Sequence, residues 1–377
     1  MVQIAIIGGG IGGLTAALAL RQSGFEPEVF EQAPALLDVG AAIAIWPNAM
    51  RVLERLQLTE KILEQAGVIE DICWLDQHGR LINRVSISET SETRSLPAVA
   101  LHRADLQSTL LHELPPASVH LGSTLVDQRQ QDGKTIAIFA KGHVVEADFL
   151  IGADGIHSRV RSRFLNDGDP TFRGYTVWRG ISPTIPSAIL PATAIELQGH
   201  GKRFGLGPVG RERLGWWASA NTDHTDDLSD LFAGWYPPVL QLIEATPPSS
   251  ILKTGAFDRE STKRWGNGRM TLLGDAIHPT TPNLGQGGCL AMEDALVLAR
   301  CFEKYGATEE ALRTYERCRY RRTAAITRYS RFYGSIGQRE DIWARALRRT
   351  ALSLVPEALA HRLMQIVFDF DATKIRV

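Results

Sequence analysis

VQIAIIGGGIGGLTAALALRQSGFEPEVFE, residues 2–31, opens the chain with one complete supersecondary unit. Val2 to Ile7 is a continuous apolar, β-rich run of the kind buried on both faces in a parallel sheet. It meets Gly8-Gly9-Gly10-Ile11-Gly12-Gly13, where Gly8, Gly10 and Gly13 satisfy the spacing GxGxxG. An Ala- and Leu-rich helix is predicted over Leu14–Ser23, stopped by Gly24, and a second strand over Pro27–Phe30 ends in Glu31. Strand, glycine turn, helix, strand and then an acid is the order that a dinucleotide fold requires. In such a fold Gly8 makes the tight turn, Gly10 lets backbone approach a pyrophosphate, and Gly13 lets helix and strand pack closely. Glu31 holds a ribose hydroxyl pair there, and its charge repels a 2′-phosphate.

A second stretch, Gly205-Leu206-Gly207-Pro208-Val209-Gly210, has the same letters without the context. Pro208 removes an amide, and Leu214–Trp217 follows as a strand-like run with no helix, so a hairpin is expected. The chain therefore carries one dinucleotide fold and no separate one for a nicotinamide.

Far downstream, residues 274–295 read GDAIHPTTPNLGQGGCLAMEDA after the apolar run Met270–Leu273. A buried strand, a Gly-Asp corner and a Pro-broken loop lead to a glycine turn that opens a helix from about Cys289. The Asp275 carboxylate can accept hydrogen bonds from ligand hydroxyls. Gly285-Gln286-Gly287-Gly288 leaves bare amides at the helix N-terminus, which favours an anion or an electron-rich ring edge by roughly 0.3–1 kcal/mol. An ordinary loop before an amphipathic helix has the same pattern; the upstream nucleotide unit makes convergence on one ligand the expectation.

Between these ends, Val39–Ile45 is small and apolar, as where backbone packs on a flat ligand or in a tight core strand, and Trp46-Pro47-Asn48 leads into a helix through Leu56. Val68–Ser88 alternates like antiparallel strands about His78-Gly79. Arg103, in the first turn of a helix running to Leu114, suits a phosphate or a ribityl chain better than open solvent, because a cation there opposes the helix dipole. Residues 147–161, ADFLIGADGIHSRVR, form an apolar strand ending in Asp154-Gly155, with Asp154 placed as an N-cap or as part of a pyrophosphate site. From about Thr171 to Gly266 short alternating runs rich in aromatics, glycine and proline predict an antiparallel substrate sheet, with a helix over Asp226–Ala245. Trp178, Trp216 and Trp217 are candidates for an aromatic pocket or for plain core. Arg203, on a strand of this sheet, either binds a carboxylate or phenolate from inside or lies at an exposed edge. His278 invites a general-base role, although its loop position also suits a structural histidine.

Composition sets the outer limits. The 377 residues are 44% hydrophobic and 22% charged with net charge −1, a globular balance with no overall bias toward nucleic acid or a membrane surface. Cys73, Cys289, Cys301 and Cys318 have no metal-ligand spacing and are expected as reduced thiols, with no metal bound. The first strand starts almost at Met1, leaving no signal peptide, and no apolar run suits a membrane span, so the cytoplasm is expected. From Arg313 to Arg349 arginines far outnumber acids, as on a solvated helix face, and residues 347–367 are apolar at helical spacing around Pro356.

Three elements, GGGIGG with Glu31, Asp154-Gly155 and Gly274-Asp275, together resemble the single-component, class A FAD-dependent aromatic monooxygenases. That family includes p-hydroxybenzoate and salicylate hydroxylases, FAD-dependent urate hydroxylase, zeaxanthin epoxidase and tetracycline-inactivating monooxygenases. The resemblance covers nearly the whole chain. It implies an α/β fold: a Rossmann-like FAD-binding domain interleaved with an antiparallel β-sheet substrate domain, plus C-terminal helices. The FAD-binding parts are expected at 1–67, 101–170 and 267–335, substrate-domain strands at 68–100, the substrate-binding sheet at 171–266 and a helical segment at 336–377.

The resemblance also implies an enzyme that uses NADH or NADPH, docked transiently, and O2 to hydroxylate or epoxidise a small aromatic or heteroaromatic molecule through a flavin hydroperoxide. An FAD-dependent reductase or oxidase of the same fold is the alternative. A halogenase is disfavoured because Trp216 and Trp217 are adjacent. Cofactor contacts are implied for Gly8, Gly10, Gly12 and Gly13, for Glu31 with Gln32 at the adenosine ribose, and for Ala42, Arg103 and the Val126 backbone. Asp154-Gly155, with Ser158 and Arg161, is implied at the pyrophosphate, Asp275 at the ribityl chain, and Gly285, Gln286, Gly287 and Gly288 under the pyrimidine edge. Pro279 and Pro282 are implied as the wall beside the reacting face. Arg203, Pro282 and His278 are the residues placed nearest the chemistry, and Trp178, Arg203 and Trp217 those placed nearest the substrate. Neither nucleic acid nor a metal is implied, and the protein is expected as a monomer or homodimer.

Overall fold

The computed structural model describes residues 2–35, 41–87, 96–221 and 227–377. Val39 and Gly40 of the small apolar run, Ser88 at the end of the alternating strands and Asp226 at the start of the expected helix lie outside them.

The opening unit forms as its sequence dictates. β1 (Gln3–Ile7) and β2 (Glu26–Phe30) pair in parallel, joined by α1 (Ile11–Gln22). The helix starts three residues earlier than the apolar pattern suggested, because the glycines permit helical backbone from Ile11 onward. Phe149–Gly152 pairs with β1 on its other side, and Met270–Leu272 pairs with Phe149–Gly152, both in parallel. Val119–His120 and the antiparallel Gly266–Asn267 complete the six strands. Segments more than a hundred residues apart thus supply neighbouring strands, and their carboxyl ends open on one side. That is where ligands of open α/β sheets bind.

The second large sheet has seven strands. β3 (Asp71–Asp76), β4 (Thr171–Ser182), β5 (Thr193–Gln198), β6 (Lys202–Pro208) and β7 (Leu214–Ala220) are joined by Leu81–Ser86 and Leu252–Asp258 at the two edges. All its pairings are antiparallel except β3 with β5, which is parallel. The Gly205–Gly210 stretch is the expected hairpin: β6 and β7 pair antiparallel from Lys202↔Ala220 to Pro208↔Leu214. One face of the sheet buries Trp178, Leu197, Phe204 and Trp216 with Val239 and Leu242 of the overlying Pro237–Ala245 helix. The single helix expected over Asp226–Ala245 is instead two described helices, Leu228–Leu231 and Pro237–Ala245, separated where Tyr236 precedes the Pro237-Pro238 pair.

α2 (Gly287–Tyr305) packs along α1, and α3 (Glu309–Gly337), capped by the Thr308 hydroxyl, crosses it. The Arg-rich helix ends at Gly337 instead of running to Arg349. α4 (Ile342–Leu354) and α5 (Glu357–Phe368) follow, divided at Pro356. No helix among the described residues is long and apolar enough to cross a membrane. Cys73, Cys289 and Cys301 are buried and all four thiols are free; burial pushes Cys289 and Cys301 up to about 12, so they are packing groups and not nucleophiles.

Candidate active site

At the mouth of the six-stranded sheet the glycines divide their work. Gly8 has φ +112°, and a Cβ on it would lie 2.3 Å from the Ala153 carbonyl oxygen. A Cβ on Gly13 would lie 2.0 Å from the Gly8 carbonyl oxygen, whereas one on Gly10 meets nothing within 4 Å. The turn is closed behind Gly13 and open in front of Gly10, and α1 begins there with no side-chain cap. Its free amides suit a pyrophosphate. Glu31 sits beside this turn, accepting from the Gly9 and Ala33 amides at 2.6 and 2.8 Å. The carboxylate is thereby fixed at the cleft edge with lone pairs left for hydroxyl donors.

The Gly274-Asp275 corner lies at the next strand end. Asp275 opens onto the cleft but sits deep in its floor: burial raises its carboxyl, and the charges of His278 and Arg103 pull the other way. A Cβ on Gly287 would approach the Asp275 carboxylate at 3.7 Å, so the acid stands beside the uncapped start of α2. Gly285 supplies the left-handed residue, φ +60°, that turns the chain into this helix. An acceptor and a set of free amides side by side fit a ligand that offers hydroxyls and an electron-rich edge.

Beneath the corner is a buried charge cluster. Arg319 reaches Glu293 and Asp294 at 2.6 Å each, and Asp294 also holds His278 Nε2 at 2.5 Å and accepts from the Gly274 amide at 3.1 Å. Burial alone would raise the Asp294 carboxyl, but His278 and Arg319 outweigh it and hold it below the usual range. Asp294→Asn is expected to destabilise the protein by about 3–5 kcal/mol, because it leaves Arg319 and His278 short of a charge. A loss under ~1 kcal/mol in denaturant unfolding would contradict this. The sign of the pH effect follows from the lowered value: the contribution is complete above the ordinary Asp range and is lost as pH falls below about 3.9.

A cavity of about 820 Å³ runs from Asp275 and Gly287 to the exposed face of the seven-stranded sheet. Strand alternation places Tyr175, Val177 and Arg179 of β4 on that face. Register then defines a row across the sheet: Arg179 opposite Trp217, Trp217 opposite Gly205, Gly205 opposite Glu196, and Glu196 opposite Trp74. A Cβ on Gly205 would fall 2.1 Å from the Trp217 indole nitrogen, so the absent side chain makes room for that ring to lie flat. Tyr333 of α3 closes the far end, donating to Glu196 at 3.1 Å and accepting from the Trp74 indole at 3.0 Å. Burial and the Glu196 charge drive its phenol far up, so it remains a neutral donor.

Two arginines of this sheet line the cavity, and they differ. Arg203 is buried; its Nε donates to Gln338 at 3.1 Å, another nitrogen donates to Asn283, and Nη1 lies 3.6 Å from Glu196. Its guanidinium also sits over the rings of Trp217 and Tyr333 at 5.3 and 5.7 Å. Arg179 donates to the Thr254 hydroxyl at 3.0 Å and pairs with no carboxylate among the described residues. Partial burial lowers its value, as it does for a cation with no carboxylate beside it.

Residues 1–330 match the family model described as FAD binding domain. Aurachin C monooxygenase/isomerase of Stigmatella aurantiaca is 37% identical over 362 residues, 94% of each chain. FAD-dependent urate hydroxylase of Klebsiella pneumoniae is 34% identical over 361 residues, 91% of this chain and 94% of that one. HpxO of Klebsiella pneumoniae, solved with FAD and uric acid, superposes with a TM-score of 0.91 at 30% identity, covering 97% of this chain and 96% of the other. The chain belongs to this family of FAD-dependent monooxygenases.

In this monooxygenase Asp275, Gly285, Gly287 and Gly288 line the cavity together with Arg103 and Ala42, while the glycine turn and Glu31 follow the carboxyl ends of β1 and β2 in the same sheet that leads to Asp275. Gln32 is exposed next to Glu31, and Val126 is the extra residue at a bulge between paired Leu125 and Asp127, which leaves its backbone out of the ladder. Gly155, at φ +78°, is open above its residue. Other candidates serve the protein itself. A Cβ on Gly12 would meet Leu273 and Ala291 at 2.8 and 3.1 Å, so this glycine admits α2 against α1. Asp154 accepts from Ser158 Oγ and from the Arg159 and Val160 amides, and Ser158 is the N-cap of its helix in place of Asp154. Arg161 is tied to Asp167 and the Ala276 and Ile277 carbonyls, and the Gln286 side chain accepts from Asn48.

Among the residues placed near the chemistry, Pro282 lines the cavity, whereas Pro279 is buried behind it. His278 is 4% exposed and lies off the cavity with its ring nitrogen on Asp294, which removes it as a general base. Trp217 and Arg203 line the cavity; Trp178 does not, since it points to the opposite face beneath Lys253. Arg179, one residue along, has the cavity face in its place. Period-two counting from Tyr175 carried that signal.

Proposed function

We propose that the enzyme uses NAD(P)H and O2 to oxygenate an aromatic or heteroaromatic substrate bearing an acidic edge, held at Arg179 with its ring against Trp217. The observation that carries this is the guanidinium of Arg179, which faces the cavity, bonds to the Thr254 hydroxyl and has no carboxylate partner among the described residues. Arg203, already bonded to Asn283 and Gln338, then acts as the post that fixes the floor. FAD fits the cleft because the cradle is open where it must be: Gly8 to Gly13 and the start of α1 for the pyrophosphate, Glu31 for the ribose, Asp275 for the ribityl hydroxyls. Arg103 and the start of α2 complete it near the ring edge. Bound there, FAD supplies the hydride acceptor and the activation of O2.

This chain does the rest by position and field. The uncapped N-terminus at Gly287 stabilises negative charge at the ring edge. Pro282 and the Ala42–Ala44 strand exclude water from the reacting face. Glu196, held by Tyr333, lies three strand spacings from Arg179, roughly 14 Å at about 4.8 Å each, and can accept a proton from a substrate N–H or O–H at that end. The urate hydroxylase and the 6-hydroxynicotinate 3-monooxygenase of Pseudomonas fluorescens support a heteroaromatic substrate. Four free thiols and a nicotinamide reductant suit the cytoplasm.

The test is a screen of aromatic and heteroaromatic acids for stimulated NAD(P)H oxidation under isotopically labelled O2. Anionic members are expected to speed oxidation and acquire one labelled oxygen atom. Stimulation with no label in any product would refute oxygenation.

A further inference from the structure

The last two helices carry apolar residues on the side that faces water. On α4, Trp343, Leu347 and Leu354 fall at steps of four and seven, one stripe of the helix, with exposures of 82%, 72% and 72%. Polar contacts hold its other side to the body. Arg348 donates to the Ile336 and Gly337 carbonyls at 2.9 and 2.8 Å, and Asn83 donates to that of Leu352 at 2.8 Å. On α5, Leu359, Leu363 and Ile366 repeat the stripe at steps of four and three and are about half exposed. Met364, Val367 and Phe368 of the same helix line the cavity, and Leu363 does both. Tyr329 of α3 shares a groove with Ile366 and Arg321, so the apolar surface continues onto a third helix.

The surround is cationic. Arg321, Arg328, Arg349 and Arg362 are exposed around these stripes. Arg319, Arg322 and Arg331 of this stretch are neutralised by Glu293, Asp294, Asp258 and Glu260, and Arg349 lies 3.6 Å from Asp76, whereas Arg321, Arg328 and Arg362 form no ion pair among the described residues. An apolar stripe flanked by arginine, with a tryptophan at its start, is the composition of a helix that lies in a bilayer interface. Two copies of such a face would repel, whereas an anionic bilayer complements it.

We propose that α4 and α5 dock this enzyme on the surface of anionic membranes, and that the cavity takes from them an amphiphilic aromatic substrate with an apolar tail. The acidic edge goes to Arg179 and the tail lies against Leu352 of α4 and Leu363, Met364, Val367 and Phe368 of α5, which line the cavity. This rests on the assignment of the cavity as the substrate site. The membrane contact itself does not, so the two fail separately.

The experiment cosediments the FAD-loaded full chain with phosphatidylcholine vesicles and with vesicles that also contain phosphatidylglycerol. At least tenfold stronger binding to the second is expected, falling as salt is added. The paired variant Leu347→Glu with Leu354→Glu, at exposed positions off the cavity, should lose that binding tenfold or more. Its FAD content and its NAD(P)H oxidation with a water-soluble aromatic acid should match the parent, which separates membrane docking from folding and from the flavin site. Absence of vesicle binding in the parent would overturn the proposal. So would equal binding by the variant, or light scattering showing a dimer that the variant turns into a monomer without any effect on vesicles.

Discussion

Arg179→Met should lower kcat/KM for an anionic aromatic substrate by about a hundredfold or more, carried mostly by KM. An acidic group brought into a dry cavity without its guanidinium forfeits a charge-assisted hydrogen bond and stays unpaired, at a cost of about 2–5 kcal/mol. The contact forms with the bound substrate and is not special to the transition state, so uniform binding is lost and kcat changes little. The variant should fold, because among the described residues Arg179 bonds only to the Thr254 hydroxyl. Arg203→Met should behave otherwise, lowering the melting temperature as Asn283 and Gln338 lose their donor. Unchanged KM in Arg179→Met, measured with intact flavin, would move the substrate's acidic edge elsewhere.

Gly13→Ala is expected to damage the nucleotide cleft itself. The new Cβ would sit 2.0 Å from the Gly8 carbonyl oxygen, a backbone atom that cannot swing aside. Relief requires α1 to move off β1, and overpacking of this kind costs about 1–3 kcal/mol or more. Purified protein should melt lower and retain a small fraction of the parent's FAD. Gly10→Ala makes the contrast, since nothing lies within 4 Å of its Cβ and Gly10 has the extended backbone, φ −73° and ψ 179°, that any residue adopts. That variant should fold as the parent does and lose only FAD affinity, because the added methyl enters the space left for the pyrophosphate. Parental melting and FAD content in Gly13→Ala would contradict the packing described here.

Much of this was legible in the sequence. The first thirty residues specify their own strands and helix because local pattern and final burial agree there. The Gly274 to Gly288 corner could be read only together with that unit, because an ordinary loop before a helix has the same pattern. What could not be read was how many bonds each polar side chain would find. Asp154, Arg161, His278 and Gln286 are the right types in the right loops, yet each is claimed by the protein itself: Asp154 by its own turn at Ser158 to Val160, Arg161 by the Ala276 and Ile277 carbonyls, His278 by Asp294 and Gln286 by Asn48. A lone sequence gives no view of that competition. The Trp178 and Arg179 exchange was a question of face, settled only when the sheet's two sides acquired different neighbours. The Glu196, Tyr333 and Trp74 set brings together three segments whose spacing carries no local mark. The apolar stripes of α4 and α5 were visible as periodicity, but the helical period does not say which side meets water.

The most direct test is a crystal structure of the FAD-loaded enzyme with an aromatic acid that it turns over. The acidic group should lie at hydrogen-bonding distance, about 3 Å, from the Arg179 guanidinium, with the ring beside Trp217 and the cofactor's ring edge over Gly287. A substrate whose acid is held by Arg203, or one seated off this face of the sheet with Arg179 untouched, would contradict the account.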